Sequence, residues 1–308
     1  MGFRVDGGSA LNGPLAPVPA DLAPAIAECE RITRERARNF WYGLKLTPEP
    51  QRSAMYAIYA WMREADDLAD AEGYSPEERV ERIARFRQET DAALAGEPPG
   101  GRPVWRALAW VAQGDRLSAA EFHDMLDGQL SDVGPVRYET WDDLRGFCYR
   151  VASTVGLVCI RVWGYHDPEA PALAVERGIA FQLTNILRDY REDHDLGRVY
   201  LPAADFRRMD LTPEALRQWS MPAQCAEFMR AQCDRAEQFY ERSAPLDRMI
   251  TPECLPTLWA MTEIYHGLLL RIRANPAAVV GASRVRLPAW RKAWIAWRAR
   301  RMHRAGSA

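Results

Sequence analysis

Two short acidic runs hold the residue types best suited to chemistry. Residues 63–70 read READDLAD, and residues 185–202 read NILRDYREDHDLGRVYLP. On a helix, Tyr56, Tyr59, Arg63, Asp66 and Asp70 recur at intervals of three or four and share a face. So do Gln182, Asn185, Asp189 and Asp193, with Arg188 and Glu192 beside them. Each helix therefore carries an Asp-x-x-x-Asp pair. Carboxylates one turn apart repel by a few tenths of a kcal/mol on an isolated helix, and burial makes this worse unless cations compensate. Magnesium suits the task, with manganese as a substitute: it prefers oxygen ligands, keeps several waters, and usually takes one or two carboxylates plus substrate phosphate. Two such helices face to face would seat a magnesium-bridged diphosphate. A solvated acidic face would explain DDLAD alone. It does not explain the second motif, which follows the small and apolar GIAFQLT face.

The elements that must position these groups read as helices almost throughout. Residues 21–44 form a first helical region, ended by Pro48 and Pro50, and a strong helix follows over 50–72. Ser75 as cap, Pro76 at the first helical position and Gly96 near the stop frame the next. Further helices fit 103–114, 118–133, 140–164, 168–195, 212–218, 221–245, 251–275 and 288–304. No solenoid repeat and no interdomain linker before residue 276 interrupts the pattern. The expectation is a flexible tail over 1–19, rich in Gly, Pro and Ala, and one all-α domain over 20–308.

Composition excludes several classes. A 308-residue chain that is 48% hydrophobic can bury a large core, and its net charge of −2 makes no global case for nucleic acid. The six cysteines form no CxxC pair or Cys/His cluster, and the five histidines show no metal spacing. Buried thiols in a reducing cytosol are the expected state. There is no run of about 18 apolar residues, so the chain is expected to be cytoplasmic, or at most peripheral on the inner face of a membrane. The end, LPAWRKAWIAWRARRMHR, is basic and puts Trp290, Trp294 and Trp297 on one helical side. Two readings stay open for it: a packed terminal helix with a solvated basic face, or a helix resting on an anionic membrane.

The motifs resemble those of the squalene and phytoene synthase family, the head-to-head prenyl synthases. The matching segments are ARNFWYGLKL (37–46), AIYAWMREADDLAD (57–70), YRVASTVG (149–156) and GIAFQLTNILRDYREDHDLGRVYLP (178–202), with a weaker RVRLPAWRK (284–292). They run in the family's order over about residues 30–295. The resemblance implies an all-α isoprenoid (terpenoid) synthase fold, with helices around a deep central cavity, aspartates at its mouth and prenyl tails in its depth. It carries the magnesium-binding role to Asp66, Asp70, Asp189 and Asp193, and matches Gln182 and Asn185 to polar positions that hold substrate and metal, which makes Asn185 a fifth metal residue. Diphosphate contacts fall to Arg63, Arg188 and Arg284, a task suited to guanidinium forks, and Arg38 holds a polar entry position. Phe40, Tyr59, Val151, Ala152, Val155, Gly156, Gly178 and Phe181 match cavity-lining positions. Small residues there leave room for a tail, or serve close helix packing.

The implied reaction is ionisation of one allylic diphosphate, attack by the second substrate's double bond, and closure to a presqualene-type cyclopropyl diphosphate. A second ionisation can then give the linear 1′-1 product, a precursor of carotenoids, hopanoids or sterols. Tyr59, Phe40 and Tyr265 are candidate rings for cation stabilisation. One position departs from the family: Phe147 stands where many members have a tyrosine near the reacting carbons, and Tyr149 is about 200° away on a helix. Leu270 likewise stands where an acid is common. NADPH stays open as a reductant, since relatives that use it lack a Rossmann domain. The VASTVG and VWG phrasing leans toward two farnesyl diphosphates and presqualene diphosphate or squalene-type products; the alternative is phytoene from two geranylgeranyl diphosphates. Rival classes are a terpene cyclase, which the ARNF, VASTVG and RVYLP segments disfavour, and a non-catalytic helical binding protein.

Overall fold

The computed structural model of the chain describes residues 15–37, 39–69, 73–114, 116–131 and 136–306. Helices make up its regular structure. Among the described residues the only β-pairing is two isolated bridges, Arg137 with Val199 and Tyr165 with Ile250. In chain order come α1 (Ala23–Arg36), α2 (Asn39–Leu44), α3 (Gln51–Ala69), α4 (Pro76–Leu94), α5 (Pro103–Ala112), α6 (Ala119–Ser131) and α7 (Trp141–Cys148). Then follow α8 (Thr154–Trp163), α9 (Ala170–Asp195), α10 (Ala203–Arg208), α11 (Pro213–Gln218), α12 (Pro222–Ser243), α13 (Leu255–Ala274) and α14 (Ala289–Gly306).

Local signals set many of these boundaries. At α4, the Ser75 hydroxyl accepts from the Glu78 N–H while the Glu78 carboxylate accepts from the Ser75 N–H, a reciprocal capping box. Gly96 follows with a positive φ of 85°, a conformation that costs an L side chain and suits glycine. The first helical region divides into α1 and α2 rather than running unbroken over 21–44. A short helix, α10, was not expected. Residues 15–19, placed by composition in the loose tail, are anchored: Leu15 is buried and Val18 packs on the core.

The largest departure lies between α7 and α8. One helix was expected over 140–164, but residues Tyr149–Ser153 form a π turn that offsets α8 from α7. Two glycines press against it. A Cβ on Gly178 of α9 would lie 2.5 Å from the Ser153 Cα, and one on Gly128 of α6 would lie 2.8 Å from the Val151 Cγ1. The Ser153 hydroxyl donates to the Val175 carbonyl at 2.8 Å and ties the turn to α9.

Helix α9, 26 residues and so about 39 Å long, is the central element, packed against α8, α12, α13 and the π turn. Helix α3 buries Ala54, Ala57, Ile58, Ala60, Trp61 and Ala65 against its neighbours, which leaves Tyr59, Arg63 and Asp66 half-buried on the other side. All six cysteines are reduced and buried. No helix among the described residues is long and apolar enough to cross a membrane.

Candidate active site

Asp189 projects from α9 and is gripped from two sides. Arg188 makes a bidentate contact, Nε to Oδ1 at 2.8 Å and Nη2 to Oδ2 at 2.6 Å. Arg284, 95 residues further on, donates Nε to Oδ1 at 2.6 Å and Nη2 to Oδ2. Burial pushes the Asp189 carboxyl up, but these two guanidiniums outweigh it and hold it below the usual carboxylate range. Arg284 also lies 3.8 Å from Glu192, and the field of Asp193 reaches it. One turn earlier, Asn185 donates weakly to Gln182 at 3.4 Å, while its own Oδ1 is buried and accepts no hydrogen bond.

On α3, Asp66 accepts from Gln129 of α6 and lies 3.8 Å from Arg63. The nearer partner of Arg63 is Asp67, which Arg36 also holds at 3.0 Å. The Nε of Arg63 is buried with no acceptor. Tyr59 and Tyr265 connect the two acidic helices. Burial raises the Tyr59 hydroxyl's pKa, and the fields of Arg63, Asp66 and Tyr265 all act on it. Tyr265, raised likewise by burial, feels Arg188, Asp189 and Arg284 and is hydrogen-bonded to Asn185. The acidic helices thus each act on one of these tyrosines, Asp66 on Tyr59 and Asp189 on Tyr265. The described residues include no cluster of three or more metal-ligating side chains, and Asp70 lies outside them. The donors on these helices still fit a hard cation: the carboxylates of Asp66, Asp189 and Asp193, and the unpartnered Asn185 oxygen.

An apolar pocket takes Ala152, Val155, Gly156, Gly178 and Phe181 from the expected lining, with Cys159, Trp163 and Met261. Phe181 stacks on Tyr265 at 4.6 Å between ring centroids, which joins the apolar wall to the polar end. Gly156 and Gly178 serve helix packing as well as space, since a Cβ on Gly156 would sit 3.2 Å from the Ala174 carbonyl oxygen.

Several expected residues fall elsewhere. Val151, in the π turn, is not part of this pocket's lining; its Cγ1 lies against Gly128 of α6. Tyr56 leaves the acidic face and stacks on Trp41 in the core at 5.3 Å. Phe147 is packed in an aromatic cluster, 5.1 Å from Tyr200 and 5.5 Å from Tyr138, and is not in the pocket's lining. Arg38, Asp70 and the side chain of Phe40 lie outside the described residues.

The structure also adds two cations. A cavity of about 210 Å³ beside Asp189 is lined by Arg188, Arg284, Arg286 and Lys292, over a floor of Ile264, Leu268, Val285 and Leu287. The alternation in RVRLP signals Arg286 as a partner of Arg284, whereas Lys292, the last residue of the RVRLPAWRK match, drew no role from the sequence and is brought in by α14.

Residues 33–291 match the family model described as squalene/phytoene synthase. A 15-cis-phytoene synthase of Synechococcus elongatus is 34% identical over 287 residues, 89% of this chain and 91% of that protein. A phytoene synthase of Mycobacterium tuberculosis is 35% identical over 283 residues, 90% of each. Among solved structures, a dehydrosqualene synthase in complex with ligand superposes with a TM-score of 0.79 at 28% identity, covering 92% of this chain and 98% of that one. The squalene synthase HpnC from Alicyclobacillus acidocaldarius gives 0.77 at 27% identity, covering 83% and 96%.

Proposed function

Because the chain belongs to the squalene/phytoene synthase family and has its isoprenoid synthase fold, it is a head-to-head prenyltransferase, and we propose that it condenses two geranylgeranyl diphosphates to phytoene. The observation that carries the site assignment is a pair of buried, unpartnered polar atoms, one on each of the two acidic helices, α3 and α9. The Arg63 Nε needs an acceptor, as a phosphate oxygen would be, and the Asn185 Oδ1 needs a donor or a cation. The choice of substrate rests on the relatives. The sequence motifs alone lean toward farnesyl diphosphate, but the curated proteins of similar length at 34% and 35% identity are phytoene synthases. The squalene-type reading survives as the second one, because the solved relatives at 28% and 27% identity are named for dehydrosqualene and squalene.

In this reading Arg63, Arg188 and Arg284 bind the diphosphates through charge-assisted forks. Magnesium, held by Asp66, Asp70, Asn185, Asp189 and Asp193, would neutralise leaving-group charge, with manganese able to replace it. Ala152, Val155, Gly156, Gly178 and Phe181 hold a tail and keep water from the allylic cation. Tyr59, Tyr265 and Phe181 would supply ring faces to stabilise it. Proton loss ends the reaction, so NADPH is not consumed.

The test is incubation with geranylgeranyl or farnesyl diphosphate and magnesium, with and without NADPH, followed by mass analysis. The expected result is a forty-carbon hydrocarbon from the longer substrate, unchanged by NADPH and abolished by EDTA. Asp66→Ala and Asp189→Ala should each lower diphosphate release by at least about 100-fold. A thirty-carbon product formed in preference would transfer the assignment to the squalene-type reading. Retained turnover in both variants would refute the site.

A further inference from the structure

Helix α14 turns its tryptophans the wrong way for a core helix. Ile295 and Ala299 are buried where it packs on α13. Trp290 and Trp297 lie away from that contact and are 72% and 53% exposed, while Trp294, 40% exposed, also meets Trp259 of α13 at 6.0 Å between ring centroids; the chain's eight other tryptophans are all buried or half-buried. Exposure of large indoles is therefore confined to one face of one helix. Cations share that face: the Arg301 guanidinium sits 4.9 Å over Trp297, and Arg298 sits 5.3 Å over Trp294 and 5.1 Å over Trp259 of α13. Helix α14 carries six Arg and Lys residues and no acid in a chain of net charge −2, so the remainder stands at −8.

Interleaved indoles and guanidiniums on an exposed helix face match one kind of surface. Indoles settle at the level of lipid headgroups, and clustered cations near them attract anionic lipid. A protein partner would need acidic groups to face six cations and slots for three indoles, whereas a bilayer supplies both without shape complementarity. We propose that α14 docks the protein on an anionic bilayer, with Trp290, Trp294 and Trp297 in the headgroup region and Arg298 and Arg301 on lipid phosphates. Lys292, on the same helix, lines the basic cavity beside Asp189. If the reaction proposed above is right, docking brings the diphosphate end of the site to the surface where prenyl diphosphates collect.

The experiment uses the full-length protein without prenyl diphosphate, so its outcome is independent of the reaction. Binding is measured by cosedimentation with phosphatidylcholine vesicles, with and without phosphatidylglycerol, and by tryptophan quenching with brominated lipid. Wild type should bind only the anionic vesicles, come off in high salt, and be quenched. The pair Arg298→Gln and Arg301→Gln should weaken binding by about 25-fold, about fivefold per cation. The pair Trp290→Ala and Trp297→Ala should lose both binding and quenching; an unchanged melting temperature would show that these exposed positions left the fold intact. Wild type that stays in the supernatant, or variants that bind like wild type, would overturn the proposal. So would a wild-type dimer that the tryptophan pair converts to monomer, since a second copy would then be the occupant of this face.

Discussion

At the scale of single residues, Asp189 illustrates how a buried carboxylate stays ionised before any metal arrives. Its side chain is 15% exposed, and two bidentate arginines offset the desolvation. Phe147 is the opposite case: a position marked by its departure from the family that turns out to lie in a stacked cluster. Its ring is 2% exposed between Tyr138 and Tyr200. We predict that Phe147→Tyr leaves product identity unchanged. A hydroxyl buried there without a partner would cost about 1–3 kcal/mol, read as a lower melting temperature. A changed product profile would return the position to the chemistry. Asn185 and Asp189 were legible from i, i+4 spacing alone. Arg284 was legible only through the family motif, because no periodicity links residues 95 positions apart. Lys292 closes the same family match, but its place beside Asp189 was not legible, since the packing of α14 on α13 decides where it goes.

At the scale of elements, the π turn between α7 and α8 governs which side chains face the pocket. It aims Val151 at α6 while Ala152 and Val155 stay in the pocket wall. The turn fits because glycines on the helices to either side, Gly128 and Gly178, leave space for the wider backbone. Gly178→Ala should therefore cost about 3 kcal/mol or more, because the new Cβ meets backbone rather than a movable side chain. Chemical denaturation would measure it, and a loss under 1 kcal/mol would contradict the close approach. The sequence hid this turn for a physical reason. An inserted residue adds about 100° of rotation, and the flanking segments are apolar on more than one side, so the hydrophobic pattern does not break. Helix α10 was hidden too: its six residues have no side-chain cap. The start of α4 was legible because Ser75, Pro76 and Glu78 each supply a local cause.

At the scale of the whole molecule, buried ion pairs join distant helices and make stability depend on pH. Asp205 on α10 accepts from Arg235 at 2.6 Å and Gln232 at 3.0 Å on α12. Burial raises its pKa, but those hydrogen bonds and the charge of Arg235 more than reverse this, and its pKa falls below the ordinary 3.8. A depressed carboxylate contributes stability that is present above its unfolded pKa and lost as pH falls through the folded one. Asp189 has the same sign. Glu121, raised chiefly by burial although paired with Arg161 at 2.9 Å, has the opposite sign. Its contribution is full below its unfolded pKa of 4.5 and is lost as pH rises through the higher folded value. Melting temperature should drop as pH falls below 3.8, and Asp205→Asn should lower it at neutral pH while flattening that acid limb. An acid limb as steep as wild type would show that Asp205 is not its source.

The six buried cysteines turn the same molecule into its own clock. They sit on α1, α7, α8 and α12 and at the start of α13, and burial pushes Cys29, Cys159, Cys233 and Cys254 up to about 12. A thiol that is both covered and protonated reacts with an alkylating reagent only after its helix swings open. The order in which the six acquire label is therefore a map of which helices part first. Simultaneous labelling of Cys29 and Cys233 would mean that α1 and α12 let go as one.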